Sequence, residues 1–99
     1  MLNINKVKDG SNLTITLAGR LDTTTAPEME EELKTSLDGV TALAIDCTEL
    51  EYISSAGLRV LLSAQKIMNK QGNMVIRNAS EEIKEIFDIT GFSDILTIQ

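Results

Sequence analysis

A single α/β domain built on a mixed, mostly parallel β-sheet is predicted by three features of the 99-residue chain. Its first two apolar runs flank Asp9-Gly10-Ser11-Asn12, a connection long enough only for an antiparallel hairpin. From the second strand-like run onward, strand-like and helical-period stretches alternate, the signature of crossover connections between parallel strands. Glycine or asparagine closes each helical stretch, and no low-complexity segment, internal repeat or linker interrupts the series. The predicted order is β-β-α-β-α-β-α-β, with the crossover helices covering a face of the sheet.

The hairpin comprises Leu2, Ile4 and Val7 among polar neighbours, then Leu13, Ile15 and Leu17 alternating with Thr14 and Thr16. After Gly19-Arg20-Leu21-Asp22, the hydroxyls of Thr23, Thr24 and Thr25 are candidate N-cap oxygens for a helix starting near Thr25. Pro27 suits its first turn, and Glu28, Glu30, Glu31 and Glu32 give it a solvated face and complement its dipole. Ala26, Met29, Leu33 and Leu37 form its apolar stripe, and Asp38-Gly39 stops it.

Val40 to Cys47 is apolar apart from Thr41 and Asp46, which predicts a strand at the sheet centre covered on both faces. Thr48 to Ile53 is read as a loop, with Glu49 and Glu51 exposed on it, leading into Ser54-Ser55-Ala56-Gly57. Leu58, Leu61, Leu62 and Met68 then mark a helix that runs to Gln71-Gly72. Met74-Val75-Ile76 is a short buried strand. Ser80-Glu81-Glu82 opens a helix with Ile83, Ile86 and Phe87 on one face and Gly91 at its end, and Ile95 to Ile98 is expected as a last edge strand.

Composition narrows the function. The chain is 42% hydrophobic and 24% charged, carries a formal charge of −6, and contains no His, one Cys and one Pro. This length supports one domain, with a radius of gyration of about 13 Å. Without His, the usual base for a serine or cysteine nucleophile and the commonest zinc ligand are missing, so an enzyme is not expected. No apolar run approaches about 18 residues, so membrane insertion is not expected, and the acidic balance argues against direct nucleic-acid binding. The N-terminus shows no secretory pattern, and cytoplasmic localisation is the expectation. Cys47 lies in an apolar run with no Lys or Arg close in sequence, and reads as a small buried hydrophobe. Met29, Met68 and Met74 read as core filler. Asp46 has no clustered His or Cys, so no metal or other cofactor is expected there.

Chemistry concentrates between Asp46 and Leu62, where a strand leaves the sheet and the chain re-enters as a helix through two adjacent serines. Ends of parallel strands facing helix starts are where α/β sheets place their sites. Ser54 or Ser55 caps that helix by satisfying an orphan backbone N–H. A hydroxyl at a helix start is also a permissible phosphate acceptor, because the dipole and free N–H groups favour the added charge. Asp22 reads equally as a local turn former or as part of a recognition surface.

Three segments carry a family resemblance: Gly19-Arg20-Leu21-Asp22, Leu50-Glu51-Tyr52-Ile53-Ser54-Ser55-Ala56-Gly57-Leu58, and Phe87-Asp88-Ile89-Thr90-Gly91-Phe92. In this order they resemble the signatures of the STAS domain family, specifically its bacterial anti-sigma factor antagonists, and they span essentially the whole chain. The resemblance implies a STAS-type single domain over residues 1–99. It implies a phosphorylatable partner-switching protein that, unphosphorylated, binds an anti-sigma factor serine kinase and frees a sigma factor, with a serine phosphatase restoring it. Aligned on Gly57-Leu58, the phosphoacceptor falls on Ser55, with Ser54 as second choice. Ser54 stands where the family pattern has Asp, and Ala56 where it has Ser or Thr. The resemblance places Asp22, Thr23, Thr24, Ser54, Ser55, Ala56, Gly57, Leu58 and Arg59 on the partner-binding surface, although Arg59 also reads as simply solvated. Asp22 and Asp46 are expected to lie near the acceptor and to sharpen the repulsion of an acidic partner after phosphorylation. The alternative within the family is a non-switching STAS accessory subunit docked permanently on a transporter ATPase. An enzymatic reading, with Ser55 as a nucleophile at a strand-to-helix elbow, lacks a base.

Overall fold

A computed structural model describes residues 1–99. Four strands form one sheet in the order β1 (Leu2–Asp9), β2 (Asn12–Leu21), β3 (Ala42–Ile53) and β4 (Asn73–Arg77). The β1–β2 hairpin is antiparallel, while β2–β3 and β3–β4 are parallel. Helices α1 (Ala26–Ser36) and α2 (Ser55–Gln71) provide the two crossovers, and α3 (Glu81–Thr90) follows β4. The radius of gyration is 12.1 Å.

Because both crossovers step across the sheet in the same direction, right-handed connections put their helices on one face. The alternation along the strands records this: Leu13, Ile15, Leu17, Leu43, Ile45, Cys47, Met74 and Ile76 are all buried. Their neighbours Thr14, Thr16, Asp46 and Val75 are only half-buried, and Val7 is exposed. The expectation that β3 is covered on both faces is therefore corrected. Its open face is lined by short or polar side chains, and Ala44, between Thr14 and Val75 in register, is buried because it is too short to reach solvent. Two interior strands with one wet face need fewer apolar residues than a sheet clad on both sides.

β3 is longer than expected. It continues through Thr48–Ile53, and Glu49 and Glu51 are exposed on strand rather than loop. Pairing with β2 holds this extension, in the register Ala18↔Glu49, Gly19↔Leu50, Arg20↔Tyr52 and Leu21↔Ile53, with two irregularities. Each register shift relaxes strict alternation, which is why polar-rich residues 48–53 carry no clean strand pattern. At the other end, Ile95–Ile98 is not a full edge strand. A 3-10 turn over Phe92–Asp94 precedes it, and only the bridge Ile76↔Ile98 forms, with Ile76 N donating to Thr97 O at 2.8 Å and Gln99 N to Ile76 O at 2.8 Å.

The core lies between the sheet and the helices. Met29, Leu61, Met68, Met74 and Phe87 are fully buried in it, together with the strand residues above. Phe87 thus anchors α3, and Gly91 closes that helix in the left-handed conformation at φ 82°. The third sequence signature is a packing and capping unit. On α1 the acidic run splits: Glu28, Glu30 and Glu31 are exposed, whereas half-buried Glu32 meets Lys6 of β1 at 2.6 Å.

Candidate functional site: the β2–α1 and β3–α2 loops

The carboxyl ends of the parallel strands β2 and β3 lie side by side and release two loops, Asp22–Thr25 and Ser54. The Ser54 N–H donates to Leu21 O at 2.9 Å and ties the second loop to the first. Gly57 then packs against the same strand ends. A Cβ there would sit 2.8 Å from Leu21 Cγ, 2.9 Å from Ile53 Cγ1 and 2.9 Å from Leu21 O. Glycine allows the start of α2 to press onto β2 at this point.

Ser54 is the N-cap of α2. Its backbone is extended, and its Oγ accepts from Gly57 N at 3.3 Å. Ser55 is the first helical residue and is exposed. The two adjacent serines thus differ: Ser54 makes the capping bond, and the Ser55 side chain is exposed and takes no part in the cap. Ala56 is half-buried, Arg59 is exposed, and Gly57 and Leu58 are buried. Gly57 and Leu58 therefore shape the surface from beneath, and Thr23, Thr24, Ser55 and Arg59 form its exposed part.

Asp22 organises the other loop. Its Oδ1 accepts from Thr24 N at 3.0 Å, Thr24 Oγ1 at 2.7 Å and Thr25 N at 3.2 Å. No threonine hydroxyl caps α1, whose N-cap residue is Thr25; the Asp22 carboxylate instead takes the N–H groups of the turn that leads into the helix. Thr25 Oγ1 is engaged elsewhere, donating to Arg20 O at 2.8 Å and accepting from Asp22 N at 2.9 Å. An aspartate two residues before a turn accepts several N–H groups more readily than a hydroxyl, because it brings full charge. The Thr24 side-chain hydrogen bond, followed by the backbone donors of Thr24 and Thr25, holds the Asp22 carboxyl at about 2 against the ordinary 3.8. It is a fixed anion at neutral pH.

Two further residues border this surface. The Arg20 guanidinium lies 4.5 Å from the Tyr52 ring centroid, and its Nε is 3.6 Å from Asp22 Oδ2. Arg20 and Tyr52 meet through strand register across β2–β3, a long-range pairing that has no local spacing to reveal it. On the helix side, an open cleft of about 360 Å³ separates the first turns of α1 and α2, lined by Thr23, Pro27, Glu30, Ala56, Arg59 and Ser63 among others.

Asp46 does not belong to this constellation. It lies on the open sheet face, about 20 Å back along β3 from Ile53 at the ordinary rise per strand residue. Its carboxylate accepts from Thr48 Oγ1 at 2.6 Å, Thr48 N at 2.9 Å and Asn78 Nδ2 at 3.2 Å, bonds that lower its pKa. The expected proximity of Asp46 to the acceptor is corrected by the length of β3. Cys47 is buried, and burial pushes its thiol up to about 12, with the Asp46 charge acting in the same direction.

Comparison with known proteins agrees with this anatomy. The STAS domain model matches residues 3–99. The anti-sigma-B factor antagonist of Listeria monocytogenes is 36% identical over 97 residues, covering 95% of this chain and 84% of that protein. The corresponding antagonist of Bacillus subtilis is 31% identical over 98 residues, covering 98% and 90%. Among solved structures, the Bacillus cell fate determinant SpoIIAA in its phosphorylated form superposes with a TM-score of 0.75 at 17% identity, covering 100% of this chain and 91% of that one. A mixed four-stranded sheet, paired strand-end loops with a serine at the start of α2, and a match along nearly the full length together place the chain in the STAS domain family.

Proposed function

We propose that this protein is an anti-sigma factor antagonist of the partner-switching type. Unphosphorylated, it binds an anti-sigma factor serine kinase in the cytoplasm and thereby releases a sigma factor. The kinase transfers the γ-phosphoryl group of ATP to the Ser55 hydroxyl, forming the Ser55 O–P bond and leaving ADP and a proton. A serine phosphatase reverses the modification. The observation that carries this reading is the division of labour at the start of α2, where Ser54 caps the helix and Ser55 stands exposed beside the Asp22 loop. Relatives aligned over nearly the whole chain bear the name anti-sigma-B factor antagonist, which supports the same reading.

The switch is electrostatic. A phosphate adds about −1.5 to −2 charges at pH 7 to a surface where Asp22 is already a fixed anion. Repulsion of an acidic partner face, together with desolvation of the phosphate in an interface, amounts to roughly 3 kcal/mol, or about a hundredfold in affinity. Because the helix start tolerates negative charge, the modification alters the surface and leaves the fold intact. In this scheme the chain is substrate and ligand, and the partner supplies the catalytic groups.

The test is a pull-down and kinase assay with wild type, Ser55→Ala, Ser54→Ala and Ser55→Asp. A partner kinase held by wild type and Ser55→Ala but lost by Ser55→Asp is expected, with phosphate mapped to Ser55 by mass spectrometry. Phosphate that survives Ser55→Ala and disappears in Ser54→Ala overturns the assignment. The same transporter-type partner held by all four proteins supports a permanently docked subunit instead.

A further inference from the structure

We propose that Arg59 is the intramolecular counter-charge for the phosphate on Ser55, so that phosphorylation both adds an anion to the docking surface and withdraws a free cation from it. The inference rests on Ser55 being the acceptor. Ser55 and Arg59 lie on the same helix, four residues apart, within α2 (Ser55–Gln71). Four residues at 3.6 per turn bring two side chains to about 40° of one another around the axis, one turn apart. An acidic group N-terminal to a basic one at this spacing is the favourable orientation for a helical ion pair.

The surroundings leave Arg59 available. It is exposed and lines the cleft between α1 and α2. The carboxylate that shares this cleft, Glu30, is 3.9 Å from Lys34 on its own helix. The other nearby cation, Arg20, is held between Tyr52 and Asp22. The first turn of α2 contains no acidic residue, so no carboxylate there competes with a phosphate for Arg59. Position 54 lacks this arrangement, because its i+4 residue is the buried Leu58 and its Oγ is already bonded to Gly57 N. The pairing therefore distinguishes the two serines, and a guanidinium fork suits the oxygens of a phosphate. Before modification the same guanidinium is free to meet an acidic side chain of the partner. Once the phosphate engages it, that contact is lost as well.

The experiment uses the full chain with phosphoserine installed at position 55 during translation, so its outcome does not depend on which serine a kinase selects. Phosphorus NMR then follows the second phosphate ionisation, ordinarily near pKa 6. In wild type this ionisation is expected lower than in Arg59→Gln by roughly a quarter of a unit at low salt. The difference shrinks at high salt, and Arg59→Lys, which keeps the charge and loses the planar fork, retains only part of it. The helix dipole acts equally on both proteins and cancels from the comparison. Phosphoserine at position 54 is expected to show no dependence on Arg59. Equal ionisation in wild type and Arg59→Gln at position 55 overturns the proposal, as does an equal Arg59 dependence at both positions. Phosphate mapped to Ser54 in the kinase assay overturns the acceptor assignment and leaves the NMR result for position 55 standing as a separate answer.

Discussion

Ser54 N and Leu21 O form a 2.9 Å hydrogen bond that joins the β3–α2 loop to the end of β2, and Gly57 closes onto the same Leu21. The surface formed by the two loops is thus held by contacts beneath it. Gly57→Ala would place a methyl group 2.8 Å from Leu21 Cγ and 2.9 Å from the Leu21 carbonyl oxygen, and the backbone oxygen has little room to yield. A loss of about 1–3 kcal/mol is expected from such overpacking, read as a lower urea midpoint with an unchanged m-value. If the midpoint does not move, the close approach of α2 to β2 is not what constrains this position.

The separate roles proposed for the two serines give opposite expectations for stability and modification. Ser54→Ala removes the acceptor for Gly57 N and is expected to cost about 0.5–2 kcal/mol in denaturant unfolding. Ser55→Ala touches no cap and is expected to remain within about 0.5 kcal/mol of wild type while abolishing phosphorylation. Equal destabilisation by the two substitutions contradicts the division of labour.

Much of this architecture is readable in the residues themselves. The Asp9–Asn12 turn, the stripe Met29–Leu33–Leu37 and the pair Ser80…Gly91 each signal an element through local chemistry, and the structure contains each one. What was not legible depends on pairing between distant segments. Thr48–Ile53 has no clean alternation, yet it is strand because β2 extends alongside it. Ile95–Ile98 has strand-like residues but forms a single bridge to β4. The threonine run after Asp22 suggested hydroxyl caps, whereas the carboxylate one position earlier takes the N–H groups. Residues 52–58 point to the serine loop through their types and order. The Arg20–Tyr52 stack needed a cross-strand register that only the fold supplies.

Asp22 links this surface to pH. Its folded carboxyl is depressed to about 2, chiefly by the Thr24 hydroxyl, from an ordinary 3.8. A depressed folded pKa gives a stabilising contribution that is fully present above the unfolded value and disappears as pH falls from about 4 through about 2. Asp22→Asn removes that contribution at every pH. Urea midpoints of wild type and Asp22→Asn are therefore expected to differ most above pH 4 and to converge towards pH 2. A constant gap across this range shows that the turn is held by geometry and not by the charge.

Cys47 provides a test of the core beneath the same strand. Its side chain is fully buried on the helix-covered face of β3, and burial raises the thiol to about 12. Thiolate is the reactive form, so at neutral pH both its scarcity and its inaccessibility oppose alkylation. Modification must pass through an opened state, and its rate should follow the unfolding equilibrium. In iodoacetamide at neutral pH, native protein is expected to react far more slowly than protein in unfolding concentrations of urea. Gly57→Ala is expected to speed the native reaction in proportion to its loss of stability, about tenfold for each 1.4 kcal/mol when opening is global. Rapid native labelling that is indifferent to Gly57→Ala would mean that β3 opens locally, independently of the contact between α2 and β2.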